Sequence, residues 1–323
     1  MRVFVTGGAG YIGSICVEEL LNAGHQVTVL DNLIEGHRSA VDPRAEFIHA
    51  DLANRQETME AVVGARPEAV VHFAAHALVG ESMLNPGKYF RNNMASGLNL
   101  LDVAVAARVK KIVFSSTCSI FGHPERVPMT EDLPLRPINP YGESKWMFER
   151  MLHWYHEIHG LEFVALRYFN AAGASARFGE HHRIESHLIP NVLRVALGLS
   201  PQCEIYGTDY PTPDGTCIRD FIHVVDLAQA HILALAPGRQ GFYNLGSGQG
   251  CSVREVVRAC ERVCGRRIPA LDKPRRAGDP PMLVASAEKA RCELGWQPRF
   301  PKLEEMVASA WRWHQEHPEG YPD

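Results

Sequence analysis

A short apolar run, Val3-Phe4-Val5, breaks into Thr6-Gly7-Gly8-Ala9-Gly10-Tyr11-Ile12-Gly13 and then into a helical pattern. This strand, glycine turn and helix start constrain the fold more than any other stretch. The alternation continues through residue 170. Residues 2–6, 26–31, 45–49, 69–73, 111–115 and 163–168 read as strands. Several are nearly continuous apolar runs, as strands covered by helices on both faces require. The pattern predicts an α/β fold, a Rossmann-type doubly wound parallel sheet followed by a smaller C-terminal α/β region. Residues 11–23 read as a helix stopped by Gly24, and 86–108 as one long helix with Pro86 in its first turn. Residues 141–159 place Met147, Met151, Trp154, Tyr155 and Ile158 on one stripe. Burial within the chain and a subunit interface both explain that stripe and the apolar 86–108 helix.

After residue 170 the composition shifts. Residues 171–186 are small and polar, while 201–217 and 264–282 are rich in Pro, Gly and polar residues. They read as long functional loops over a smaller region. The expected division is 1–170 for a dinucleotide, with part of 218–246 returning to it, and 171–323 mainly for the substrate.

Charge excludes several classes. Lys and Arg number 33 against 37 Asp and Glu, a net of −4, with no basic run of the kind that binds nucleic acid. No apolar stretch nears the ~20 residues that cross a bilayer. Met1-Arg2 leads straight into the first strand, so a cytoplasmic protein without a secretory leader is expected. The 8 cysteines form no C-x-x-C pair, and no metal is expected. His181-His182 read as neighbours in a solvated polar loop.

The glycines match G-x-G-x-x-G, which permits a tight turn, backbone approach to a pyrophosphate and close helix packing. Alone, the motif is also compatible with a plain glycine-rich turn. Asp31, 18 residues after Gly13 and at the end of the second strand, can bind ribose hydroxyls and would repel a 2′-phosphate. NAD is thereby favoured over NADP. Tyr141 and Lys145 lie one helical turn apart, where an ammonium and an oxidised nicotinamide would lower the phenol's pKa. A surface pair is the alternative. Ser115 to Ser119 follow the fifth strand and put the Thr117 hydroxyl beyond its C-terminal end, where parallel sheets bind ligands.

Together these residues resemble the extended short-chain dehydrogenase/reductase superfamily and, within it, the UDP-glucose 4-epimerase family. The likeness runs nearly end to end, through Asn139-Pro140-Tyr141-Gly142-Glu143-Ser144-Lys145, Leu166-Arg167-Tyr168-Phe169-Asn170 and Asp209-Tyr210-Pro211-Thr212-Pro213-Asp214-Gly215-Thr216. It implies catalysis by Tyr141, Lys145 and Thr117. It implies NAD binding by Gly7, Gly10, Tyr11, Ile12, Gly13, Asp31, Asn32, Asp51, Leu52, Phe73, Ala74, Ala75, Asn92, Ser115, Tyr141, Lys145 and Tyr168. The UDP-sugar would meet Thr117, Tyr141, Asn170, His187, Leu188, Cys217, Arg219, Phe221, Arg276 and Asp279.

The implied reaction interconverts UDP-glucose and UDP-galactose by transient C4 oxidation, rotation of the 4-keto sugar and return of the hydride from bound NADH. A homodimer is implied as well. Departures from the family pattern are the lack of a lysine in 74–81, Phe221 in place of a common tyrosine, and Leu283 at a position that gates N-acetyl groups. The alternatives are a UDP-N-acetylhexosamine, UDP-pentose or UDP-uronate epimerase, a nucleotide-sugar 4,6-dehydratase, and a non-catalytic NAD-sensing protein. A dehydratase needs carboxylic acid–base groups after the Thr, where Cys118-Ser119 stand here. A sensor has no need of Tyr141, Lys145 and Thr117 together.

Overall fold

The computed structural model describes residues 1–276 and 279–323. Ala277 and Gly278, part of the 275–279 stretch of the family likeness, lie outside the described residues. The chain begins with β1 (Arg2–Thr6), α1 (Tyr11–Asn22), β2 (Gln26–Asp31), β3 (Glu46–His49), α2 (Arg55–Ala65) and β4 (Ala69–His72). Next come α3 (Val79–Leu84), α4 (Pro86–Tyr89), a π-helical stretch (Phe90–Ser96), α5 (Gly97–Ala106), β5 (Lys111–Thr117), α6 (Pro140–His159) and β6 (Glu162–Tyr168). β7 (Asn170–Ala172), α7 (Leu188–Ala196), β8 (Cys203–Tyr206), β9 (Ile218–His223), α8 (Val224–Ala234) and β10 (Gly241–Leu245) follow. The chain continues with β11 (Gly250–Ser252), α9 (Val253–Cys264), β12 (Ala270–Lys273), β13 (Met282–Leu283) and α10 (Leu303–Glu316).

Seven strands make one parallel sheet in the order β10-β6-β5-β4-β1-β2-β3. The order reverses beside β1, and such a switch point opens a crevice beyond the strand C-termini. Alternate residues of β1 face opposite ways: Val3 and Val5 pack with Ile15, Leu20 and Leu227, whereas Phe4 packs with Leu100, Phe114 and Phe148. Covering on both faces accounts for the unbroken apolar strands. β9 carries a second sheet with β7, β11 and β13, and β8 pairs with β12. Its register sets Asn170 opposite Phe221, and Leu283 opposite Arg219.

Several expectations need correction. The 86–108 helix is interrupted: its middle is π-helical, and Gly97 restarts the α-helix where a Cβ would come 2.4 Å from the Phe148 ring. Apolar periodicity does not report such a change of winding. The loops read at 201–217 and 264–282 contain β8 and β12, whose short strands lie among Pro and Gly. The α6 stripe is split: Met151 and Tyr155 pack against the core, and the rest of it turns outward. Trp154 and Ile158 are 57% and 68% exposed, while Ser144, Lys145, Phe148, Glu149 and Leu152 face inward. His181 is also not simply solvated, since its ring stacks on His37 at 4.7 Å.

Buried histidines set an acid limit. Burial pushes the imidazoles of His72, His223 and His231 down to about 3, 4 and 4, with Lys145 and Arg299 adding to the first two and a backbone bond to Leu227 opposing the third. Unfolded imidazoles take up protons below about pH 6.5, the folded ones only near those lower values, so the unfolded state binds more protons in that window. Stability therefore falls as pH drops from 6.5 toward 4, by roughly 2–3 kcal/mol per histidine at pH 4.5. Urea midpoints across pH 4.5–7.5 check this. A flat profile contradicts it.

Candidate active site

The glycine turn is built by close approach. Gly7 lies at φ +74°, and a Cβ there would come 2.5 Å from the Ala74 nitrogen. A Cβ on Gly13 would come 2.1 Å from the Gly7 oxygen, so both positions require glycine for packing alone. Gly10 differs: its Cβ would meet nothing nearer than the Gly7 oxygen at 3.5 Å. A residue free to carry a side chain but lacking one leaves room for a ligand. Gly10 also caps α1 without a side-chain hydrogen bond, so the first-turn N–H groups at Tyr11, Ile12 and Gly13 remain available to an anion.

Asp31 closes the turn, accepting from the Ala9 N–H at 3.0 Å and the Leu33 N–H at 2.9 Å. Asn32 donates to Asp51 at 3.0 Å, and Leu52 is buried behind them. Phe73 packs against His231 with ring centroids 4.7 Å apart, and Ala74 N–H donates to the Thr6 carbonyl at 3.1 Å. Ala75 is half-buried beside them. Asn92 donates to Asn93 at 3.0 Å. Asn93, which sequence reasoning did not assign, also accepts from the His76 N–H at 2.9 Å and donates to Ser144 at 3.0 Å. It thereby ties the π-helical stretch to α6.

α6 begins at a capped turn. Asn139 accepts from the Gly142 N–H at 2.8 Å, and Pro140 supplies a compatible φ. A Cβ on Gly142 would come 2.6 Å from the Ser119 oxygen, so glycine lets α6 press onto the segment after β5. That contact brings Tyr141 to Thr117. Burial raises the phenol's pKa to about 12, and a hydrogen bond from Thr117 opposes the shift. Lys145 donates to the Ser115 carbonyl at 2.8 Å, and burial lowers its pKa to about 7 against the attraction of Glu149. The chain alone therefore pushes the phenol up and not down, because desolvation outweighs any help from the ammonium. Ser115 and Tyr168 share a hydroxyl–hydroxyl hydrogen bond beneath the pair.

Under Lys145 lies a charged network that sequence reasoning missed. Glu149 accepts from Arg167 at 3.0 and 2.7 Å and from Ser116 at 2.6 Å. Both charged side chains are at most 3% exposed. The signal was available: Glu149 follows Lys145 by one helical turn, and Arg167 interrupts an apolar strand.

The second sheet supplies the other wall. Arg219 donates to Asp279 at 2.7 Å and to the Ile218 carbonyl at 2.8 Å, and its charge opposes the burial that carries Cys118 up to about 12. It thus stands between Thr117's neighbour and the loop around Asp279. Arg276 lies 4.0 Å over the Tyr206 ring. Asn170 donates to the Asp220 carbonyl at 2.9 Å; Cys217 and Phe221 are buried nearby. Leu283 packs with Cys118 and Phe121.

Glu180, His182, Glu185 and His187, which no spacing pattern joins, bring their ring nitrogens and carboxylate oxygens within 4.8 Å of one another. His187 Nδ1 lies 2.9 Å from Glu185 and 3.1 Å from Glu180. Burial lowers the His187 pKa, but Glu180 and Glu185 outweigh it and bring it to about 9, with Arg276 opposing. The two carboxylates favour the charged form of His187, which stands beside Leu188 at the start of α7. The expectation of no metal rests on the cysteine spacing and on reading His181-His182 as a solvated loop, and it does not consider this group.

A crevice at the switch point, a glycine cradle and a tyrosine–lysine pair define a dinucleotide-dependent oxidoreductase-type site. The chain belongs to the NAD dependent epimerase/dehydratase family, whose pattern matches residues 3–246. It is 51% identical over 327 residues to the UDP-glucose 4-epimerase of Halalkalibacterium halodurans, covering 99% of this chain and 98% of that one. A crystal structure of a UDP-glucose 4-epimerase superposes with a TM-score of 0.97 at 46% identity, covering 99% of both chains. The UDP-glucose 4-epimerase of Bifidobacterium longum, solved in complex with NAD+ and UDP, gives 0.95 at 38% identity, covering 99% of this chain and 100% of that one.

Proposed function

We infer that this chain interconverts UDP-glucose and UDP-galactose, using a resident NAD+ to oxidise and re-reduce C4 of the sugar. The carrying observation is the meeting of Tyr141, Lys145 and Thr117 at the crevice, between the glycine cradle and the cations of the second sheet. The residues fit NAD+. An uncapped helix start and the open space at Gly10 suit a pyrophosphate, and the Asp31 carboxylate suits an unphosphorylated ribose. Asn32, Asp51, Leu52, Phe73, Ala74, Ala75 and Asn92 would complete that side, with Ser115, Lys145 and Tyr168 toward the reacting end.

When bound, NAD+ supplies reversible hydride acceptance and a positive charge beside the phenol. Tyr141, once ionised, takes the proton of the sugar 4-OH and later returns it, and the Thr117 hydroxyl orients that oxygen. Lys145 would offer its remaining N–H donors to the ribose and, in its ammonium form, add positive charge near the phenol. Arg219 and Arg276 supply the charge that a diphosphate needs, His187 offers it a hydrogen-bonding ring nitrogen, and Phe221 offers a face for uracil. Asn170, Leu188, Cys217 and Asp279 line the same wall. Anchoring the nucleotide lets the oxidised sugar turn over without leaving.

Residues 1–170 are assigned to NAD and 171–323 mainly to the UDP-sugar. β10 in the large sheet supports a return of part of 218–246 to the first region. We assign a homodimer formed through α5 and α6, whose Leu98, Trp154 and Ile158 are 41%, 57% and 68% exposed. Among the described residues no helix is long and apolar enough to cross a membrane, and a cytoplasmic location fits that.

Purified protein given UDP-galactose without added NAD+ is expected to form UDP-glucose, and denaturation to release about one NAD per chain. Absence of UDP-glucose overturns the substrate assignment, and absence of NAD the cofactor assignment.

A further inference from the structure

The segment leaving Asp31 is held shut by residues far from it in sequence. Residues 33–39 turn back over the glycine cradle. The His37 N–H donates to the Ala9 carbonyl at 3.0 Å, and a Cβ on Gly36 would come 2.8 Å from the Ala9 carbonyl carbon. Leu33 sits at φ +58°, a left-handed conformation that is strained for a non-glycine residue. Such a loop does not hold this shape unaided.

Besides contacts of Glu35 with His76 at 3.6 Å and of Arg38 with the Phe47 ring at 4.4 Å, two anchors from far along the chain hold it. Arg183, from the loop before α7, donates to the carbonyls of Ile34 at 2.9 Å, Leu33 at 3.3 Å and Gly36 at 3.4 Å. Asp323 accepts from the Ser39 N–H at 3.2 Å and from its hydroxyl, and its carbonyl meets His37 Nδ1. The His37 ring also stacks on His181 at 4.7 Å and tilts against Tyr321 at 5.1 Å. The anchors are themselves joined, since the Tyr321 N–H donates to His181 at 3.1 Å. Arg183 is exposed and its acceptors lie near the surface, where water could satisfy them. What the arginine adds is position.

We propose that Arg183 and Asp323 are the two ends of a clasp that keeps the 33–39 loop closed over the adenosine end of the bound NAD, so that the cofactor leaves only when both let go. This rests on the NAD assignment above. Both are positioning residues and touch no reacting atom. Release through local opening becomes faster as the bonds resisting that opening are removed.

The test uses NAD-loaded wild type, Arg183→Ala, Asp323→Ala, the double variant and Arg183→Lys. Each is diluted into NAD-free buffer containing an NAD-consuming enzyme, and NAD remaining per chain is followed over time. Each alanine variant is expected to release NAD about tenfold faster and the double variant about a hundredfold, with Arg183→Lys between. With saturating added NAD+, turnover of UDP-galactose should return to the wild-type value. Urea midpoints of the NAD-stripped proteins should match. NAD in the wild type with unchanged release from the double variant overturns the clasp alone. Faster release accompanied by an equally lowered urea midpoint also overturns it, since the residues would then act on the fold. A wild type that yields no NAD overturns the cofactor assignment and the clasp with it.

Discussion

Tyr141→Phe should leave a protein that carries NAD and binds UDP yet epimerises UDP-galactose about a thousandfold more slowly, the loss typical of a removed general base. The substitution deletes one oxygen and keeps the ring that lies edge-on to Tyr89 at 6.5 Å. Packing at the start of α6 is therefore retained. No other hydroxyl takes the place: Thr117 is not an acid–base group at neutral pH, and Tyr168 is engaged with Ser115. Initial rates, NAD content and UDP affinity measured on one preparation decide the matter. Near-wild-type turnover removes Tyr141 from the mechanism.

Glu149→Ala should cost about 3–5 kcal/mol of stability, because it leaves the Arg167 guanidinium buried without its counter-ion. Ser116 loses its acceptor at the same time, directly before Thr117. The fold loss and the catalytic loss can be separated. Replacing both charges with apolar residues, as in Glu149→Leu with Arg167→Met, removes the unpaired charge and should recover much of the urea midpoint. Lys145 then lacks the carboxylate that opposes its neutralisation, so the double variant should need a lower pH than wild type to keep the ammonium charged. A wild-type midpoint in Glu149→Ala contradicts the reading of the pair as a buried ion bridge.

The fold was legible where local rules repeat. Val3-Phe4-Val5 before Gly7, and Gly24 after α1, carry their own geometry, and the strands of a sheet covered on both faces announce themselves as apolar runs. The π-helical stretch was not legible, since its residues keep an apolar pattern compatible with an ordinary helix. β8 and β12 were hidden because four-residue strands gain their stability from each other and not from their own composition.

Within the candidate site, Tyr141 and Lys145 show in the sequence because one helical turn fixes their relation. The partners across elements do not. Glu149 meets Arg167, and Glu180 meets His187, only after α6, β6 and the loop before α7 have packed. The desolvation of the phenol is hidden for a related reason. Spacing reveals the nearby ammonium but not the desolvation that outweighs it.

The central claim is that C4 of the sugar gives up its hydrogen within the site and recovers that same hydrogen on the opposite face. Purified protein, without added cofactor, should be incubated in ordinary water with UDP-galactose deuterated at C4. The UDP-glucose formed should keep the label at C4 in full, because only the hydroxyl proton handled by Tyr141 exchanges with solvent. Label lost to water during conversion would contradict it.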